Sequence, residues 1–329
     1  MNIKKLFFFS LLSIGIIHIV VGEKSDSLSH NSKKNRYESC IVRPTFFEFS
    51  IRTLPAVNFY PRRDIPEADD FNRNKLYTLK LNIPLILSNK LDVIAQLRYK
   101  NEQLHLGEFE DAYKKKIHFD NAGLSFVYQY DFNETYYLAG HFGGSFKSDK
   151  FNFEQFSSIL DYSSSLLFGK NIDYGKIGFG AIFGNSLGRF RIYPLFLFDY
   201  EISDKWKLEV KLPKELKIRR ILQPDNFYLI GGAEMRAASY FISEDILPDE
   251  KNLEYRRGAV ELNIGIEKEI SDFLWFGVEL GITQPIYSAL VKRGDPTRNK
   301  LFNFNHSFTP YGSVSIYIVP PSSLFKKIR

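Results

Sequence analysis

The chain of 329 residues is poor in the residue types that most often build metal, redox and disulfide sites. It contains one cysteine, two methionines, two tryptophans and six histidines. A single cysteine, Cys40, cannot form an internal disulfide, and no two histidines have the spacing of metal ligands, so neither a disulfide framework nor a zinc site is expected. We therefore predict no catalytic, cofactor-binding or metal-binding residues and no cofactor.

Long apolar runs are also missing beyond the N-terminus, although 44% of the residues are hydrophobic and 16% are aromatic, with 31 phenylalanines and 19 tyrosines. The net charge of +6 is modest and is spread along the chain. Without a basic helix or an aromatic RNA-binding motif, no nucleic-acid partner is expected. Abundant aromatic residues without long apolar segments are typical of a β-barrel with aromatic girdles at both membrane interfaces.

The one apolar run of any length is at the N-terminus, where the basic segment Met1–Lys5 precedes Leu6–Val21. About 16 apolar residues are fewer than the roughly 20 that span a bilayer, and cleavage after Gly22 suits a signal peptidase. We therefore divide the chain into a signal peptide (1–22), a disordered polar segment (23–42), a barrel domain (43–319) and a basic tail (320–329).

The segment Arg257–Pro285 shows the clearest strand pattern in the chain. On both sides of the polar pair Ser271–Asp272, aliphatic or aromatic residues alternate with glycines, carboxylates and amides, which predicts a β-hairpin. Each arm exceeds ten residues, and a tilted strand needs about 9–11 residues to cross a bilayer. An apolar face opposite a polar face is the pattern of a transmembrane barrel strand.

Similar alternation recurs from residue 43 onward, with short turns and longer loops in alternation. The segments Trp206–Leu212 and Glu215–Leu222 decide the strand count, which is fourteen if both are barrel strands and twelve if their hairpin does not span. Antiparallel closure requires an even number either way. The sequence thus predicts an all-β fold, a closed antiparallel transmembrane up-and-down β-barrel of 12–14 strands, with fourteen favoured. Both chain ends and the short turns would face the periplasm, and Ile286–Phe302 would form the last long loop.

A soluble β-sandwich or β-solenoid is the alternative fold. Strands in such folds are normally shorter, and their apolar faces need an internal partner sheet. The long alternating arms therefore favour the membrane barrel.

The chain resembles an uncharacterised family of outer-membrane β-barrels, a domain of unknown function found in Bacteroidetes-type Gram-negative bacteria. The resemblance rests on a break at Leu212–Pro213, on the hairpin in Arg257–Pro285, on the tail sequence PYGSVSIYIVPPSSLFKKIR and on recurrent turns. These turns are Leu87-Ser88-Asn89-Lys90, Ile202-Ser203-Asp204-Lys205 and Ile270-Ser271-Asp272-Phe273. The resemblance implies an outer-membrane location and brings no known activity or catalytic residues. Because the chain continues past Val319, we expect the barrel insertion signal in the strand ending near Tyr317.

Alternation also places charged side chains of both signs toward the lumen. The predicted lumen-facing residues are Arg98, Glu209, Glu234, Arg236, Glu261, Glu267 and Glu279. One interpretation is a charged constriction that selects small polar solutes. The other is a salt-bridged interior that fills a closed barrel, because an isolated charge away from water is costly and barrels below about sixteen strands are often filled by side chains. The sequence leaves both interpretations open.

For function we expect a non-enzymatic pore or passive transport protein for small polar solutes in the outer membrane. Two alternatives remain, a lipid-modifying outer-membrane enzyme and a structural or adhesive surface barrel with a filled lumen. The enzyme would need a serine–histidine set, and His141 and Ser145 are the nearest pair, although alternation places both on the lumen side. Expected partners are outer-membrane lipid, lipopolysaccharide and the outer-membrane insertion machinery. The oligomeric state does not follow from the sequence.

Overall fold

The computed structural model describes residues 45–54, 58–59, 74–105, 116–150, 160–186, 189–223, 226–243, 252–296, 299–305 and 308–321. The predicted signal peptide, the predicted disordered segment with Cys40, and residues 322–329 of the predicted tail lie outside these ranges. Among the described residues, no helix has the length and apolar character needed to cross a membrane.

The regular structure of the described residues consists of sixteen strands. They are β1 (Phe47–Leu54), β2 (Asn58–Phe59), β3 (Asn74–Leu87), β4 (Leu91–His105), β5 (Lys116–Asp131), β6 (Tyr136–Ser148), β7 (Leu160–Ile172), β8 (Gly175–Ser186), β9 (Arg189–Ser203), β10 (Trp206–Leu212), β11 (Glu215–Gln223), β12 (Phe227–Ile242), β13 (Leu253–Ser271), β14 (Leu274–Lys292), β15 (Lys300–Asn305) and β16 (Thr309–Ile318).

Fourteen of these strands form one closed antiparallel barrel. Each strand from β3 to β14 pairs with its sequence neighbour, and the ring closes through β14–β16, β16–β1 and β1–β3. The remaining two strands, β2 and β15, form a short ladder against the far end of β14. The predicted all-β, closed antiparallel barrel is confirmed, and β10 and β11 both belong to the ring, so the higher of the two predicted strand counts is correct.

One end of the barrel, here called the short-turn rim, carries the tight connections. They include the turns 88–90, 132–135, 173–174, 204–205 and 272–273. The first and last barrel strands meet at the same rim, where Phe47 lies opposite Ile318. The opposite end is the long-loop rim. The recurrent Ser-Asn/Asp turns thus share one end with both chain termini of the barrel, as their spacing predicts.

The outer face of the barrel is largely apolar. On β13, Leu262, Ile264 and Ile266 are 49%, 58% and 40% exposed, whereas Glu261 on the inner face is 4% exposed. Phe179 on β8 and Leu280 on β14 are 68% and 62% exposed. Burying such a surface in a hydrocarbon phase would recover about 25 cal/mol per Å².

The hairpin β10–β11 is much shorter than its neighbours. Leu212 is the last residue of β10 to pair with β9, opposite Phe196, and Glu215 pairs with Glu234 on β12. Beyond those pairs, β9 and β12 continue toward the long-loop rim without a strand between them in the described residues. Further along, β12 meets β6, where Phe241 pairs with Ser148. β8 also comes close to β12.

The prediction that Ile286–Phe302 is one long loop was wrong. β14 continues to Lys292, paired with β13, and β15 begins at Lys300. Residues 288–291 are buried on both faces, so the period-two alternation that identifies a half-buried strand is missing there.

Candidate functional site

In the described residues, two ion-pair networks lie inside the barrel, and Arg52 is the centre of the first. Its Nη1 lies 2.5 Å from Oε2 of Glu261, and its Nη2 lies 2.5 Å from Oε1 of Glu279. The hydroxyl of Tyr311 donates to the same oxygen of Glu279 at 2.9 Å. Strand pairing explains the meeting, because β16 lies between β1 and β14 and brings inward residues of all three together.

Arg236 on β12 extends this first network. Its Nε lies 2.6 Å from Oε2 of Glu261, and its Nη2 donates to Oε2 of Glu234 at 2.8 Å. Glu261 therefore contacts two guanidinium groups. A carboxylate that is 4% exposed needs such compensation, because burial of an unpaired charge is costly.

The second network lies nearer the short-turn rim and centres on Arg219 of β11. Its Nη1 donates to Glu267 at 2.5 Å, and its Nε lies 3.6 Å from Oε1 of Glu209. The guanidinium of Arg219 also lies 5.1 Å from the ring centroid of Tyr228. Tyr228 stacks on Trp275, which stacks on Tyr317, so aromatic rings fill this side of the rim.

At the long-loop end, opposite walls of the barrel meet across the interior. Phe119 of β5 stacks on Tyr240 of β12 and on Tyr255 of β13, with ring centroids 4.6 and 5.6 Å apart. The carboxylate of Glu102 accepts from the Tyr240 hydroxyl at 2.8 Å and from Arg257 at 2.9 Å. These contacts form a packed layer that joins opposite walls of the barrel at this level; we call it the aromatic closure.

A cavity of about 220 Å³ lies between the aromatic closure and the first ion-pair network. Six basic and two acidic side chains line it. Three of the six basic residues are neutralised, since Lys147 pairs with Asp161, Arg236 with Glu234 and Glu261, and Arg257 with Glu102.

The other three basic residues of the cavity are Arg98, Lys100 and Lys214. None of them forms an ion pair within the part of the chain that the structure describes. Arg98 and Lys100 lie on the inward face of β4, and Lys214 lies at the tip of the β10–β11 hairpin. Arg98 is exposed although it faces the interior, so water reaches this cavity. We call these three residues the cation trio.

The residues predicted to face the lumen fall into three groups in the structure. Glu234, Arg236, Glu261 and Glu279 belong to the Arg52 network, Glu209 and Glu267 belong to the Arg219 network, and Arg98 belongs to the cation trio. Sequence reasoning missed Arg52, Arg219 and Lys100, although alternation along β1, β11 and β4 places each on the inward face. It had no way to find Lys214, which lies in a turn, where alternation carries no information.

The histidine–serine pair considered for an enzyme lies within the barrel. His141 and Ser145 are both on the inward face of β6, opposite Val127 and Gly123 of β5. Four residues of extended strand separate them by about 13 Å, too far for a direct hydrogen bond. In the described ranges, no group of three or more His, Cys, Asp or Glu side chains could hold a metal ion.

No curated protein matches the chain in sequence. A family model described as "Domain of unknown function (DUF6268)" matches residues 47–290, from the first residue of β1 into β14. The match includes both ion-pair centres and the whole cation trio. The chain therefore belongs to the DUF6268 family.

Proposed function

We propose that this chain is an integral outer-membrane β-barrel that binds small anionic solutes in its interior and passes them across the membrane. The apolar outer face supports the membrane location, because a closed barrel satisfies its backbone hydrogen bonds internally and can present apolar side chains to lipid. The short turns and both termini of the barrel would face the periplasm, and a signal peptide would direct export.

The cation trio is the observation that carries the anionic preference. Arg98, Lys100 and Lys214 form no ion pair among the described residues, so their N–H groups can donate to a ligand. Hydrogen bonds to charged groups contribute about 1.5–3 kcal/mol each, more than neutral ones. An anion that reached all three residues would therefore bind well, whereas a cation would be repelled.

The aromatic closure favours a barrel whose interior is blocked at rest over an open pore that allows free diffusion. Phe119, Tyr240 and Tyr255 are each at most 3% exposed and join opposite walls. A solute that crosses the barrel along its axis must separate them. We therefore expect low conductance from the wild type and a higher conductance when this layer is removed.

Membrane insertion is tested first. The protein should sediment with outer membranes, require detergent for extraction, and migrate differently on a gel before and after boiling. Recovery of the folded protein from the soluble periplasmic fraction would refute the membrane barrel and everything proposed from it.

Anion preference is tested by reversal potentials in planar bilayers under a potassium chloride gradient. Both the wild type and the Phe119→Ala variant should favour chloride over potassium. Combined R98Q, K100Q and K214Q changes should remove that preference. The matched control is R220Q with K170Q and K268Q, which removes three cations from the outer face and should leave selectivity unchanged. Cation selectivity in the unmodified interior would contradict the proposal.

A structural barrel with a filled lumen is the second candidate, because the two ion-pair networks and the aromatic stack occupy much of the interior. It predicts no ion flow in the wild type and none after Phe119→Ala combined with Tyr240→Ala. It also predicts that the cation trio binds no anion.

A further inference from the structure

In the part of the chain that the structure describes, the wall of the barrel has a gap above the hairpin β10–β11. The last pairs on its two sides are Leu212 with Phe196 and Glu215 with Glu234. β9 then continues through 189–195 and β12 through 235–240 with no strand paired between them in the ranges that the structure describes. At about 3.3 Å per residue, the gap is about 20 Å high. Its upper limit is the junction of Ser148 with Phe241.

The cavity reaches this gap from inside. Its lining includes Lys214 at the hairpin tip, and Met235 and Ala237 on the edge of β12 that faces the gap. The backbone N–H of Met235 donates to the carbonyl of Lys214 at 2.8 Å, which places the hairpin tip directly below the gap. Met235 is 50% exposed, and Ala237 is also exposed. The interior cavity and the apolar outer face of the barrel therefore meet at this edge.

The aromatic closure blocks the direct route to the long-loop rim, whereas no described strand fills the space between β9 and β12. The aromatic closure fills the interior with Phe119, Tyr240 and Tyr255, which belong to a buried cluster that also includes Ile117, Ile242, Leu253 and Leu290. Side chains near the gap on the β9 side are exposed and largely apolar, since Phe190 and Ile192 are 54% and 61% exposed. A molecule with an apolar chain can rest there while its polar end reaches inward.

We infer that the gap between β9 and β12 is a lateral entrance from the membrane, through which an amphiphile with one anionic headgroup and an acyl-type chain reaches the cation trio. Lys214 at the threshold would bind the headgroup first, and Arg98 and Lys100 would hold it in the cavity. The chain of the amphiphile would remain against Met235, Ala237 and the apolar side chains of β9. This inference rests on the proposed function, because it takes the barrel to be in a membrane and the trio to bind anions.

The experiment compares the binding of an anionic amphiphile with the binding of its headgroup alone and of its alkyl chain alone. The wild type in phosphatidylcholine nanodiscs is titrated with dodecyl phosphate, inorganic phosphate and dodecanol, with empty nanodiscs subtracted. Dodecyl phosphate should bind at least about tenfold more tightly than inorganic phosphate, because it adds apolar contact to the same charge interaction. Dodecanol should bind weakly. Combined R98Q, K100Q and K214Q changes should weaken dodecyl phosphate by about tenfold or more.

The entrance is tested separately from the charges by a matched pair of tryptophan variants. Ala237→Trp places an indole on β12 beside the gap, whereas Ala233→Trp places one on the same face of β12 where the strand is paired with Leu216 of β11. Ala237→Trp should slow the association of dodecyl phosphate by about tenfold while leaving inorganic phosphate unchanged, and Ala233→Trp should change neither.

The outcomes separate the two proposals. If inorganic phosphate binds as tightly as dodecyl phosphate, or if both tryptophan variants behave alike, the lateral entrance is refuted while the anion site stands. If neither phosphate binds, the proposed anion function fails as well. If dodecanol binds as well as dodecyl phosphate, the gap is an apolar patch and the headgroup role of the trio is wrong.

Discussion

Phe119 on β5 stacks on Tyr240 on β12, a strand that is seven positions away around the ring in either direction. The two ring centroids are 4.6 Å apart. A circular fourteen-stranded barrel would hold opposite walls much further apart, so the barrel is flattened at this level. The contact between β6 and β12 above the short hairpin also flattens the barrel, because it brings β12 inward toward β6.

Removal of the Phe119 ring should destabilise the fold strongly. Phe119 is completely buried, and truncation of a buried phenylalanine to alanine costs about 3–5 kcal/mol. The measurement is the free energy of unfolding in urea and detergent. Phe142→Ala on β6 is the control, because Phe142 is 60% exposed on the outer face. Equal losses in both variants would mean that the aromatic closure is not a packed core.

Loss of Arg52 should lower the stability of the fold, because Arg52 compensates the charges of Glu261 and Glu279. Arg52→Met leaves Glu261 with Arg236 alone and Glu279 without a guanidinium, and breaking a buried pair costs about 3–5 kcal/mol. Glu261→Gln in the same chain should restore part of the stability. If the double variant is less stable than Arg52→Met alone, Arg52 does not compensate the charge of Glu261.

Glu279→Lys discriminates between a charged constriction and a salt-bridged interior. The substitution places a second cation against Arg52 and removes the acceptor of the Tyr311 hydroxyl. We expect a lower unfolding midpoint, with Lys170→Glu on the outer face of β7 as a milder charge reversal. A fully stable variant with an altered ion selectivity would instead assign Glu279 to an open constriction.

Glycine at position 169 is required by the ring of Tyr137. The two residues are directly paired between β6 and β7, and a methyl group on Gly169 would overlap the Tyr137 ring, which is 2% exposed. Gly169→Ala should cost about 1–3 kcal/mol through overpacking. At Gly231, by contrast, the nearest atom to an added methyl is 3.7 Å away, so Gly231→Ala should be tolerated. Thermal unfolding of the two variants makes the comparison.

Period-two alternation was enough to predict the barrel and the faces of its strands. The alternation around Glu261 and Ile264 arises because the inner face of the strand is polar and the outer face is apolar. Glu261 is accordingly buried and Ile264 is exposed. Alternation fails where both faces of a strand are covered, as at 288–291, because the sequence there is apolar without a period.

The partners of the interior charges could not be predicted in the same way. Arg52 meets Glu261 and Glu279 across 209 and 227 residues of chain, and only ring closure brings them together. The shortness of β10 and β11 is visible in the sequence, yet its consequence is not. The gap in the wall depends on how far β9 and β12 continue, and on the contact between β6 and β12.

The register of β13 is tested by two adjacent substitutions. Ile264 is 58% exposed on the outer face, and Asn263 lies on the inner face opposite Gly281. An arginine at the lipid face of a membrane barrel costs about 2–4 kcal/mol at the bilayer midplane. Ile264→Arg should therefore impair insertion or lower the unfolding free energy by that amount, whereas Asn263→Arg should be much milder because its charge enters a polar interior. A shift of one residue would exchange the two faces, so equal or reversed effects would show that β13 presents the other face to lipid.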